Sequence, residues 1–206
     1  MDLVDLVINR LRRISEEIEA RNGKVVLLND VATAAYGIIK PMEENRLLVI
    51  HENIDEIVYH LTRILGVSLH SEDIYRSLKT LGIAVINPVT MPLFIVELPR
   101  SQIDREIIDN GNIVIDSIGA LRIPTLEYLI TKMLSLGKYP YTLYGYTLLI
   151  SHLESIDVAR LRKALTQAGI KNISQSIKKF VEIADIFPEL DIKTKLLRKF
   201  IEELSI

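Results

Sequence analysis

Four tyrosines, Tyr139, Tyr141, Tyr144 and Tyr146, crowd the segment that follows Gly137-Lys138. Phenol rings stack on bases and peptides, and they also pack helices together, so both uses stay open. Other constellations are ruled out by spacing. His51, His60, His70 and His152 lack metal-ligand spacing; His51 and His60, on either side of a strand–helix junction, read as surface residues. No His-Glu-x-x-His pair, Walker-type glycine loop or Gly-x-Ser-x-Gly elbow occurs. Cysteine is absent, which excludes disulfides, thiolate metal sites and a cysteine nucleophile. Chemistry is left to carboxylates and basic groups.

The basic groups are well mixed with acids. Arg160-Leu161-Arg162-Lys163, Lys178-Lys179 and the set Lys193, Lys195, Arg198 and Lys199 stand near Glu182, Asp185, Glu202 and Glu203. With 25 basic against 27 acidic residues the net charge is −2, and no global field draws nucleic acid. A nucleic-acid surface is only weakly supported. Leu196, Leu197, Phe200 and Ile201 give the last helix a broad apolar face, which suits a partner protein or a homo-oligomer.

The 206 residues can bury a core without staples. Met1–Arg21 carries charges too frequent for a signal peptide, and no apolar run reaches the roughly 20 residues of a membrane helix. The expectation is a cytoplasmic protein with no membrane contact. An apolar fraction of 49% with positive mean hydropathy fits either a heat-adapted protein or a subunit that hides apolar surface in an oligomer.

The periodicity supplies the elements that must position any site. Leu3, Leu6, Val7, Leu11, Ile14 and Ile18 recur at helical spacing, and Asn22-Gly23 stops that helix. A short buried strand over Lys24–Leu28 is followed by Asn29-Asp30, which can cap a small-residue helix over Val31–Ile38. Arg46–Ile50 reads as a strand, and Ile54, Ile57, Val58, Leu61 and Leu65 form a helical stripe that Gly66 ends. A helix near Ser71–Leu81 takes Ser71 as its N-cap, with Glu72 and Asp73 favourable in its first turn. Strands at Ile83–Asn87 and Leu93–Leu98, a helix at Ser101–Asp109 and a strand at Ile113–Ile118 come next. Helices then follow over Thr125–Leu136, Tyr141–Leu153, Asp157–Ala168, Ser174–Ile186 and Asp191–Glu203. Residues 1–153 read as an α/β domain with an N-terminal helix, and 154–206 as a helical extension.

Ser117–Ile150 has a distinctive order. A small-residue and arginine run leads to Ile123-Pro124-Thr125, then to a helix bearing Glu127 and Lys132, a basic-aromatic loop, and a second apolar helix. This resembles the closing half of minimal nucleotidyltransferase domains of the abortive-infection and toxin–antitoxin type. There the last strand enters "(V/I)P(S/T)-hydrophobic-E-D-L-I-x-x-K", then a "KD-x-x-D" loop and a helix. The resemblance covers about Lys24–Leu153. It implies an α/β (α+β) fold with a mixed sheet flanked by helices and a C-terminal helical extension.

The resemblance also assigns roles. It places Asn29 and Asp30 at the "GG" or "GS" turn that admits a nucleotide phosphate. Glu44 falls on the first carboxylate of "T-x-D-h-D" and Arg46 on the second; the alternative register, Glu43 with Asn45, also offers one carboxylate. Glu97 is the candidate for the third carboxylate, from a later strand, and its plain alternative is an exposed residue at a strand end before Pro99. Lys132 takes the lysine position, with a solvated surface lysine as the alternative. Asn29, Asp30, Arg46, Tyr141 and Tyr144 depart from the pattern.

Three readings result. In the first the protein is a catalytically degenerate nucleotidyltransferase-like module that binds a partner protein, a nucleotide or RNA, with no cofactor. In the second it is an active enzyme modifying a protein or RNA, with Glu44 and Glu97 on magnesium and Lys132 on a nucleoside triphosphate. In the third it is a structural subunit of an oligomer.

Overall fold

The computed structural model describes residues 3–38, 43–115, 120–171, 173 and 198–202. They form two compact units, Met1–Thr125 and Leu126–Ile206. In the first unit α1 (Leu3–Glu19) buries Val7, Leu11, Ile14 and Ile18, the apolar stripe that the helical spacing predicts. After it come β1 (Lys24–Asn29), α2 (Asp30–Ala35) and β2 (Glu44–Ile50). α3 (Ile54–Leu65) starts on Asn53, whose side chain accepts the Asp55 N–H, and stops at Gly66 with φ 72°.

A 3-10 turn over Ser68–His70 runs directly into α4 (Ser71–Leu81). This corrects the capping assignment: the residue before the helix is His70, whose side chain makes no cap bond, because the turn already supplies the entry. Glu72 and Asp73 do lie in the first turn. β3 (Ile83–Ile86), β4 (Leu93–Glu97) and α5 (Gln102–Asp109) follow, the last closed by a capping box between Ser101 and Asp104. β5 (Asn112–Ile115) then pairs antiparallel with β6 (Leu121–Pro124). The sequence reading has a single strand here; β6 is too short to give a periodic signal, yet it buries Leu121 and Ile123 around Arg122, which reaches Glu19 at 3.0 Å.

The four-stranded sheet has the order β1-β2-β4-β3 and is mixed: β2 and β4 run parallel, and β1–β2 and β3–β4 pair antiparallel. Directly paired residues share a face. One face therefore carries Val25, Leu27, Leu47, Val49, Phe94, Val96, Ala84 and Ile86, every one of them buried. The other carries Glu44, Arg46, Leu48, Ile95, Glu97 and Val85, and Val85 is 60% exposed. α1 packs on β1 and on α3, α3 on α4, and α4 on β3, so the helices span the sheet from edge to edge. The fold is thus α+β, a mixed sheet flanked by helices, as the sequence predicts. No helix among the described residues is long and apolar enough to cross a membrane.

The α1–α3 seam holds an unexpected polar network. His60 is 1% exposed rather than superficial, because it continues the buried stripe between Ile57 and Ile64. Its Nδ1 lies 3.3 Å from Glu17 and its Nε2 3.3 Å from Glu56. Glu17 also meets Arg63 at 3.0 Å and Arg21 at 3.1 Å. Burial pushes the Glu17 carboxyl up, but Arg63, His60 and Arg21 outweigh it and hold the group below the ordinary glutamate range. A depressed folded value contributes stability above the unfolded value, and that contribution is lost as pH falls through the folded one. Urea unfolding across an acid series should show wild-type stability falling below the ordinary glutamate range, and Glu17→Gln falling less steeply. Parallel slopes would remove Glu17 from the network's energetics.

In the second unit α6 (Leu126–Ser135) packs on α7 (Tyr141–Ser151) and on α8 (Val158–Gln167). Buried Glu127 accepts the Asp157 N–H at 2.9 Å and pairs with Arg160 at 3.7 Å, while Asp157 caps α8 by accepting the Arg160 N–H. Glu127 thereby ties α6 to the start of α8. Residues 198–202 are helical, and Phe200 and Ile201 are buried, which takes them out of the apolar face assigned to a partner. The remainder of the two helices expected over Ser174–Glu203, including Leu196 and Leu197, lies outside the described residues.

Candidate functional site: a carboxylate cluster built around Arg46

Glu44 opens β2 and Arg46 follows two residues later, so strand alternation puts both side chains on one face. On the parallel neighbour β4, Ile95 stands opposite Arg46, and Glu97 is one step further along the same face. Glu44 stands opposite Leu93, so the two acids lie on either side of Arg46 along the strands, and its guanidinium bonds to both. Its Nε donates to Glu44 Oε1 at 3.1 Å and an Nη donates to Glu97 Oε1. The Glu97 and Arg46 side chains are 11% and 8% exposed, and that of Glu44 is 17% exposed. Glu97 is therefore a buried ion-pair member, not an exposed strand end.

The turn between β1 and α2 completes the cluster. Asn29 Nδ2 donates to Glu44 Oε1 at 2.6 Å, so one carboxylate oxygen receives both an amide and a guanidinium. Asn29 holds φ 61° and ψ −124°, a conformation that glycine adopts freely and side chains resist. Asp30 faces inward and is 3% exposed. Its Oδ2 accepts the backbone N–H groups of Glu43 and Glu44, both at 2.8 Å, which pins the start of β2. It acts as a structural clamp for the next strand rather than as a cap for its own helix; Asn29 likewise makes no side-chain cap bond.

The alternative register fails on geometry. Glu43 precedes the strand and is exposed, and Asn45 is buried on the opposite face from Glu44. Lys132 belongs to the second unit, on α6, and is 7% exposed, so it is not a solvated surface lysine. Tyr141, Tyr144 and Tyr146 lie on α7 and are half-buried, while Tyr139 before it is exposed. Tyr141 and Tyr144 are thus helical, as the helix expected over Tyr141–Leu153 requires.

The donor set does not fit a divalent cation. Magnesium takes oxygen ligands in near-octahedral array and favours carboxylates that no fixed cation already neutralises. Here both carboxylates are bonded to a guanidinium, and no group of three His, Cys, Asp or Glu suited to a metal occurs among the described residues. Arg46 was legible as a departure from the carboxylate pattern, but its bridging role was not. Glu-x-Arg on one strand was the available signal, since that spacing puts both groups on one face.

No family model matches the chain, and no curated protein matches it. Among solved structures the chain is similar to an antigenic nucleotidyltransferase-like protein from Paracoccidioides brasiliensis. The identity is 11% and the TM-score 0.45, with 93% of each chain covered.

Proposed function

We propose that the protein is a catalytically degenerate nucleotidyltransferase-like module that acts by binding, and that Glu44, Arg46 and Glu97 are what remains of a metal centre. The observation that carries this reading is the Arg46 guanidinium between the two carboxylates. In-line nucleotidyl transfer needs divalent charge on both attacking and leaving oxygens. A guanidinium supplies one fixed positive charge and donors only, so it neutralises the carboxylates without offering open coordination positions. The turn at Asn29 supports the same descent. Its backbone has a glycine-like conformation where the resemblance places a glycine, yet its side chain binds Glu44.

Calorimetric titration with nucleoside triphosphates, with and without magnesium, tests the reading. The expected result is that magnesium adds no affinity. Magnesium-dependent binding that Glu44→Ala weakens would establish the enzyme instead.

A further inference from the structure

β3 is an edge strand, and its free side borders a groove rather than open solvent. The bond from the Leu98 N–H to the Gly82 carbonyl, 2.8 Å, fixes the ladder phase. Gly82–Leu98 is a hydrogen-bonded pair, so by alternation Ala84–Val96 and Ile86–Phe94 are too. The N–H and C=O groups of Ile83 and Val85 therefore point away from β4, and no strand among the described residues pairs with that edge. The strand is short, but it reads Ile-Ala-Val-Ile, without charge, proline or bulge. Beside it a cavity of about 270 Å³ opens against one face of α4, lined by Val67, His70, Asp73, Ile74, Ser77 and Val85 among others. Asp73, Ile74 and Ser77 recur at helical spacing, so one stripe of α4, with His70 of the turn before it, forms the far wall.

An edge strand with outward backbone groups, facing a helix across a narrow groove, is the geometry in which extended peptides add a strand. Main-chain bonds to Ile83 and Val85 would hold the segment, and alternate side chains would enter the groove against Ile74 and Val67. Asp73 is the one acid in that lining and is exposed, without a lysine or arginine beside it there. Charge complementarity therefore selects a segment with a basic side chain opposite Asp73. We infer that the β3–α4 groove binds an extended, basic-apolar segment of a partner protein by strand addition. This site lies on a different strand edge from the carboxylate cluster and stands or falls without it.

The test uses the full chain and a fluorescein-labelled hexapeptide that alternates valine with lysine, beside a counterpart that alternates valine with glutamate. Anisotropy should show the lysine peptide binding more tightly, and NMR should place the perturbed amides at Ile83 and Val85. Val85→Pro deletes an outward donor without touching the β3–β4 ladder, and should weaken binding about tenfold. Asp73→Lys, a surface change that spares the strand, should reverse the preference between the two peptides and keeps the test decisive if the proline variant unfolds. Equal affinity for both peptides, binding unchanged in a folded Val85→Pro protein, or pairing of β3 with a second copy in place of peptide would each overturn the inference.

Discussion

Arg46→Ala is expected to cost about 3–5 kcal/mol, because it removes the buried cation that bonds to both Glu44 and Glu97. Both acids keep their positions, since Glu44 is fixed through Asn29 and through the Asp30 clamp on its own N–H, and Glu97 lies in a strand paired on both sides. The loss has two parts: the broken charge-assisted bonds, and the repulsion of like charges that the sheet cannot separate. The second part gives the variant a signature. Protonating one carboxylate relieves the repulsion, so mild acid should narrow the gap between variant and wild type. Removing the acids as well, in Glu44→Gln/Arg46→Met/Glu97→Gln, should recover much of the loss, because neutral side chains of similar volume carry no uncompensated charge. Chemical denaturation of the three proteins at two pH values measures both effects. If Arg46→Ala were as stable as wild type, the guanidinium would not be the group that holds this end of the sheet together.

Phe94→Ala should be comparably severe, about 3–5 kcal/mol. Phe94 heads the fully buried side chains among the described residues and stands on β4, an inner strand, between Asn45 of β2 and Ile86 of β3. The cavity left behind would open between two layers of regular structure, where the backbone is tied on both sides and collapses little. Phe94→Leu should cost substantially less by keeping most of the volume. Thermal unfolding of the pair checks the ranking. A loss below about 1 kcal/mol for Phe94→Ala would mean that the face shared with Leu47 and Val96 is not the packed core.

Much of this was readable in the residues. The helical stripe of α1, the Gly66 stop of α3 and the strands that carry Arg46 and Glu97 all follow from period and local chemistry, which act within a few residues. What escaped depends on pairing between distant segments. β2 and β4 are parallel and stand apart in sequence, so nothing local says that Glu97 shares a face with Arg46. His60 looked superficial because imidazole is polar; its burial follows from α1 lying against α3 and presenting Glu17 to it. Asp30 resembled a helix cap, and only the approach of the β2 backbone makes it a clamp. The resemblance over Lys24–Leu153 pointed to Glu44 and Glu97, while the fold decides what stands between them.

The most direct test of that arrangement is a manganese titration, by calorimetry and electron paramagnetic resonance, of wild type and of Arg46→Asp. The substitution removes the guanidinium and restores a second carboxylate on the face of β2 that carries Glu44. If Arg46 stands in place of the metal, wild type binds no manganese at this cluster, whereas Arg46→Asp binds one ion and is stabilised by it. Stoichiometric binding to wild type, lost in Glu97→Gln, would contradict the account.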